Sequence, residues 1–490
     1  MPLNITYSDF EKLYNQKQNQ LVWKKIPSDC ITAVSALLKL EEKSEYFSLF
    51  ESVIGGEKRG RYSIIATNPD IIWKCDGYKA YKNFGAGFLP ESADAFTSLR
   101  SFAAESKIPV SPNLPPMASG IFGFMSYDMV RLMEKLPDAN PKNIGIPESV
   151  YFRPQTIIIF DNLKDDCYIV SQVYSSEKSA EQAYKNATKN ISEVEDILSN
   201  QTIPNSKSIV PNELNFTASF SRPQYDKVIE KAKEYIVAGD IFQIVPSRRF
   251  TSDFNLPPTS FYRSLRNLNP SPYLFYLKLN GFYIIGSSPE ILVRLKDKKV
   301  TIRPIAGTRK RGKTEAEDLS LEAELLADGK EISEHLMLLD LGRNDVGRVA
   351  KPGTVKVTEN MIVERYSHVM HIVSNVEGEI AEGKDFLDAL SSGFPAGTVS
   401  GAPKIRAMEI IDDLEQEKRE FYAGTVGYIA GLHEMDTCIT LRTALIKDGK
   451  IYAQAGGGVV ADSNPEAEFM ETENKAGAII QAAINAKNYL

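Results

Sequence analysis

Residues 221–239 read SRPQYDKVIEKAKEYIVAG. Tyr225, Val228, Ile229, Ala232 and Ile236 recur at helical spacing, Ser221 offers an N-cap hydroxyl and Gly239 a stop. The stretch predicts an amphipathic helix, and its neighbours are of another kind. TIIIFDN (156–162) before it, and GFYIIGSS (281–288) and TVGYIAGL (425–432) after it, are apolar runs bounded by turn residues, as strands are. Helices and strands do not alternate regularly along the chain. A doubly wound parallel sheet is therefore not indicated, and the residues predict an α+β fold.

Upstream of the helix the composition shifts. Residues 175–200 look like a polar helix, and QTIPNSKSIVPNELNFT (201–217) has the prolines and polar side chains of a linker. The expected division is an N-terminal part, 1–200, and a C-terminal part, 215–490. No internal repeat of short fixed period is present.

The bulk numbers exclude several classes. The 490 residues allow more than one sizeable core, and a net charge of −7 offers no general field for nucleic acid. No apolar run is long enough to span a bilayer, and the start, MPLNITYSDFEK, lacks the pattern of a secretory signal. Four cysteines without a CxxC pair argue against a disulfide framework or a zinc site, so a reduced, cytoplasmic protein is expected.

Several motifs could carry chemistry. NPEAEFMETENKAGA puts Glu468, Glu471 and Lys475 on one helix face, where a plain Glu–Lys pair is the bland reading. GKEISEHLMLLDLGRNDVGR adds Glu331 and Glu334 at i,i+3. Two acidic helices suit a hard divalent cation such as Mg²⁺, although capping and ion pairing would use the same residues. Gly456, Gly457 and Gly458 let backbone amides approach an anion, but follow neither the GxxxxGK[ST] nor the GxGxxG pattern. Arg442 lies in an apolar, strand-like run and needs an anionic partner. His368 and His371 lie in the apolar segment YSHVMHIVSNVEG, where a satisfied core histidine is the commoner explanation. ALSSGFPAGTVSGAPKIRAMEII (389–411) reads as a hydroxyl-rich loop ahead of a helix, and Gln243 opens a short apolar strand. RPIAGTRKRG (303–312) reads as a loop with four cationic side chains around the inert Ala306. Together they describe a pocket for a substrate with more than one carboxylate, bridged to a divalent cation.

These motifs, in this order, resemble the chorismate-utilising enzymes, and within them the large subunits that make anthranilate for tryptophan biosynthesis. The resemblance is strong over about 215–485; SLFES (48–52), GRYSIIA (60–66) and GIFGFMSYDMVRLME (120–134) are similar to the regulatory part. It implies a four-layer αββα sandwich with two orthogonally packed, mainly antiparallel sheets built by both halves of the chain. It implies Mg²⁺ on Glu334 and Glu471, with Glu331 and Glu468 close by. Gly307, Thr308, Tyr422, Arg442, Gly456, Gly457, Gly458 and Lys475 resemble chorismate-binding positions. Glu290 resembles a general acid, and His371 and Thr398 resemble residues near the elimination of pyruvate. Glu51, Ser52, Pro272, Tyr273 and Leu274 resemble a tryptophan feedback site, with Leu274 where methionine is common. No cysteine here lies in a GxCxG elbow and no histidine is followed by x-Glu, so a separate glutamine amidotransferase subunit is implied, in a heterotetramer of two large and two small subunits. The aminodeoxychorismate synthases typically carry lysine at the place of Ala306, and the isochorismate and salicylate synthases carry lysine at the place of Gln243. Both lysines are absent.

Overall fold

The three expected strands form, as Ser149–Asp161, Phe282–Ser288 and Thr425–Ile429. In the computed structural model, residues 2–54, 58–176, 178–203, 212–366 and 369–490 are described. Part of the expected linker (204–211) and His368 lie outside the described residues.

Two long strands, Tyr62–Asp76 and Ser149–Asp161, organise the sheets. They pair antiparallel along their length, with a register shift between Pro69 and Ile71. A strand that bends at such an irregularity can belong to two sheets at once, forming a corner of an orthogonal packing. From Tyr62–Thr67 one sheet continues through Tyr46–Glu51, Tyr273–Leu279, Phe282–Ser288, Thr443–Lys447, Lys450–Gly456 and Ser247–Asp253. From the 149–152 end a second sheet continues through Ile121–Met125, Thr425–Ile429, Met435–Ile439, Ile291–Lys296, Lys299–Ile302 and Val369–Glu379. All these pairings are antiparallel.

Side-chain alternation then sets the layers. Ile157 and Ile159 enter a core between the sheets with Phe122, Phe275, Leu277 and Val426. Ile158 and Phe160, of opposite parity, pack with Phe261, Leu265 and Ile479 from helices outside the first sheet. Trp73 and Val293 pack with Leu99, Phe386 and Leu390 from helices outside the second. The order is helices, sheet, sheet, helices, the expected four-layer sandwich. Strands from both ends of the chain neighbour one another in each sheet: 46–51 pairs with 273–279, and 121–125 with 425–429.

The helix at 221–239 spans Arg222–Val237, with Ser221 and Gln224 forming a capping box. Tyr225, Val228, Ile229 and Ala232 are buried against Ile410, Ile411 and Val459. Gly239 follows with φ +84°, the left-handed stop that favours glycine.

Three local expectations are corrected. RPIAGTRKRG is not a loop: Ile305–Lys310 is a strand paired with 369–379, irregular at Gly307, whose φ is +74°. Arg442 is not inside a strand; it sits at φ +47° between Met435–Ile439 and Thr443–Lys447. Residues 389–393 end the helix Phe386–Gly393, so the loop ahead of the helix Lys404–Leu414 starts only at Phe394.

Candidate active site

Glu290 lies in the short turn between the strands 282–288 and 291–296 and is buried. Among the described residues its side-chain hydrogen bond comes from Thr398, whose Oγ1 donates to Oε1 over 3.0 Å. Burial pushes its carboxyl up to about 8; Thr398, Lys475 and Arg442 only partly oppose this. At neutral pH the group is a carboxylic acid with a proton to give.

His371 is the second unusual group. Its Nδ1 lies 3.0 Å from the Gly307 carbonyl and 3.0 Å from Thr308 Oγ1. A carbonyl only accepts, so Nδ1 carries the hydrogen, and Nε2 is left with its lone pair. Burial lowers the imidazole to about 4, the Gly307 contact opposing it, so the ring is neutral near pH 7. Tyr366 meets the ring edge-on at 5.5 Å. Arg442 is held by its backbone, its carbonyl accepting from Ser287 N at 3.1 Å. Its half-buried guanidinium makes no hydrogen bond or ion pair with another described residue, and burial lowers its basicity. An unpaired guanidinium at such a place is a receptor for an anion.

The cations of RPIAGTRKRG behave differently. Arg303 pairs with Glu359 and Glu364, Arg309 with Glu324, Asp328 and Glu331, and Arg311 with Asp318. They fix the strand against its surroundings, while Gly307 supplies the carbonyl that orients His371. Ala306 is buried beside it, paired with Ile372.

The acidic residues converge from two helices. Gly329–Gly347 starts at its N-cap Asp328, whose side chain accepts from Lys330 N and Glu331 N, and carries Glu331 and Glu334. Pro465–Asn485 starts at its N-cap Asn464 and carries Glu468, Glu471 and Lys475. Glu334 accepts from the Gln243 amide at 3.2 Å. Burial raises the Glu334 carboxyl, the Gln243 bond opposes it, and Glu331 and Glu471 add to the rise. Glu468 Oε2 is buried with no hydrogen-bond partner among the described residues. The expected Glu471–Lys475 pair forms at 2.6 Å, and Lys475 also donates to the Gly456 carbonyl at 3.1 Å.

Gly456, Gly457 and Gly458 close this corner. A Cβ on Gly457 would stand 2.8 Å from Glu468 Oε2, and one on Gly458 2.5 Å from Gln243 Nε2. A Cβ on Gly456 would stand 3.1 Å from the hydroxyl of the buried Tyr422. No group of three or more His, Cys, Asp or Glu close enough to hold a metal occurs among the described residues. The donor chemistry nevertheless fits Mg²⁺, which takes hard oxygens and needs only one or two protein carboxylates. Glu331 and Glu471 are paired with Arg309 and Lys475, and Glu468 Oε2 has no hydrogen-bond partner among the described residues.

The structure also brings together Glu51, Ser52, Pro272, Tyr273 and Leu274, around a cavity of about 250 Å³. Phe50, Val426 and Tyr428 complete apolar walls, and Arg294 and Asp436 supply charge. Tyr273 donates to Asp436 at 3.1 Å. The carboxylate of Glu51 is not available to a ligand ammonium. It accepts from Tyr262 at 2.6 Å, from Ser63 at 3.3 Å and from Arg266 at 2.7 and 3.1 Å. The Glu51 side chain thus anchors the cavity wall.

Sequence reasoning missed Asp436 and Arg294 in this cavity and Tyr366 beside His371. The one available signal was the charge of Asp436 within the otherwise apolar run MDTCI.

Comparison with known proteins identifies the family. Residues 56–481 match the family described as chorismate binding enzyme. The chain is 52% identical over 488 residues to anthranilate synthase component 1 of Cereibacter sphaeroides, covering 98% of each. It is 45% identical to the same component of Acinetobacter calcoaceticus, covering 99% of each. Among solved structures, anthranilate synthase component I from Streptococcus pneumoniae superposes with a TM-score of 0.76 at 36% identity, over 86% of this chain and 92% of that one. The menaquinone-specific isochorismate synthase of Escherichia coli shares the fold, with a TM-score of 0.71 at 20% identity over 97% and 99% of the chains. The chain belongs to the chorismate-binding enzymes and, among them, to the anthranilate synthase component I family.

Proposed function

We propose that the chain converts chorismate and ammonia to anthranilate and pyruvate, as the first step toward tryptophan. The observation that carries this reading is Glu290, a buried carboxyl kept protonated beside the unpaired Arg442. Arg442 binds the enolpyruvyl carboxylate of chorismate, and the amides of Gly456–Gly458 receive carboxylate oxygens. Glu334 and Glu471 would hold Mg²⁺, with Glu331 and Glu468 near; bound there, the ion neutralises the ring carboxylate.

In the first step ammonia adds at C2, and Glu290 gives its proton to the C4 hydroxyl, which leaves as water. The added nitrogen releases one proton, leaving 2-amino-2-deoxyisochorismate. In the second step His371 Nε2 accepts the C2 proton, the bond from C3 to the enolpyruvyl oxygen breaks, and the enolate takes a proton to become pyruvate. Gln243 favours amination over hydration. Its amide, bonded to Glu334, has no basic lone pair with which to activate water.

Ammonia would come from glutamine through a separate amidotransferase subunit, and tryptophan would inhibit from the 250 Å³ cavity. The test is growth of anthranilate fluorescence in the purified chain with chorismate and Mg²⁺. Ammonium should support it, glutamine alone should not, and chelation should abolish it. Glutamine-dependent turnover by this chain alone would refute the division of labour. Turnover undiminished by chelation would refute the metal.

A further inference from the structure

Glu290 ends each amination as a carboxylate and must regain one proton per turnover. A second cavity of about 30 Å³ is lined by Glu290 and Thr398 and also by Asp345 on the helix 329–347. Leu338, Leu341 and Ala396 supply its apolar walls. About 10 to 15 Å³ admits one water, so the space suits one or two, provided polar partners exist. Asp345 is such a partner. It is 4% exposed, its Oδ2 accepts from Lys404 at 2.8 Å, and its Oδ1 is buried with no hydrogen-bond partner among the described residues.

We propose that the Asp345–Lys404 pair returns protons to Glu290 through water held in this cavity. The proposal rests on Glu290 being the acid of the reaction. Each cycle moves one proton: Glu290 loses it to the departing hydroxyl, the new amine releases one to solvent, and the Lys404 ammonium passes one to Asp345, from which the cavity water carries it to the Glu290 carboxylate. Lys404 is then reprotonated from solvent. Its charged neighbours are Lys404 on the helix 404–414, Arg348 on its own segment and Arg303 across the cavity; Lys404 also feels Glu134. Asp345 touches no substrate, so its effect is confined to regeneration of the enzyme after amination.

The test is steady-state kinetics in H₂O and D₂O at saturating ammonium for Asp345→Asn and for Asp345→Asn with Lys404→Met, which leaves no unpaired buried charge. Ala396→Val, which narrows the cavity and leaves the pair intact, is the third variant. A slowed recharging step lowers kcat and KM for chorismate together, with kcat/KM unchanged. We expect kcat to fall at least tenfold in each, the solvent isotope effect on kcat to rise, and concentrated formate buffer to restore part of the rate. An equal fall in kcat/KM, or an unchanged isotope effect, would overturn the proposal. So would a rise confined to KM for ammonium in Ala396→Val, which would make the cavity a passage for ammonia. Glu290→Gln separates the two readings: normal turnover there would show that Glu290 is not the acid, whatever Asp345 does.

Discussion

The region around Glu290 and Arg442 and the cavity of about 250 Å³ handle charge in opposite ways. In the first, Arg442 makes no hydrogen bond or ion pair with a described residue, Glu468 Oε2 has no hydrogen-bond partner among them, and burial raises the Glu290 carboxyl against the hydrogen bond from Thr398. In the second, Glu51 is saturated by Arg266, Tyr262 and Ser63, and Asp436 is held by Tyr273. Unpaired buried groups are unfavourable until a complementary ligand arrives, so the first region is open to charged ligands. The second has its charges satisfied and offers an apolar, shaped space.

The largest expected effect tests the unsatisfied region. Glu290→Gln should lower kcat for ammonia-dependent anthranilate formation by about 10²- to 10⁴-fold, the usual contribution of a general acid. In the unaltered chain the rate at constant free ammonia should fall as pH rises through about 8, where Glu290 ionises. The stability has the same sign. The Glu290 carboxyl is raised, so its contribution is full below its unfolded value and lost as pH rises through about 8. Glu290→Gln should therefore melt higher than the parent at pH 9, and a lower melting temperature there would contradict the buried acid.

Arg442→Gln comes next. Losing the charged partner of a buried carboxylate typically removes about 2 to 5 kcal/mol, or roughly 30- to several-thousand-fold in kcat/KM. Stability should hold or improve, because no described residue loses a partner; strong destabilisation would mean that Arg442 is structural.

For the satisfied region the pattern inverts. Glu51→Gln should destabilise by roughly 3 kcal/mol through the loss of Arg266's counter-charge, read by denaturant titration, with kcat near the parent's. The smallest effect is on control alone. Ser52 makes no side-chain hydrogen bond with a described residue, so its hydroxyl is available to a ligand. Ser52→Ala should raise the tryptophan concentration for half inhibition about ten- to a hundredfold, as loss of about 1.5 to 3 kcal/mol implies, with unchanged stability and rate. An unmoved inhibition curve would remove Ser52 from the site.

The residues by themselves were enough for the helix at 222–237, the last helix with its acidic face, and the strands at 149–161, 282–288 and 425–429. Periodicity and caps are local, and these segments obey them. The motif order was enough for the family. Strand pairing was not legible, because register depends on partners hundreds of residues away: 46–51 lies against 273–279, and one bend in 62–76 carries it from the first sheet to the second. Nor were charge states. Arg303, Arg309, Arg311 and Arg442 look alike as letters, yet the first three have carboxylates facing them and the fourth has none. Glu51 and Glu290 differ in the same way, one ringed by donors and the other by a single threonine hydroxyl. Whether a charge is neutralised is a property of what folds against it, and only the tertiary structure decides that.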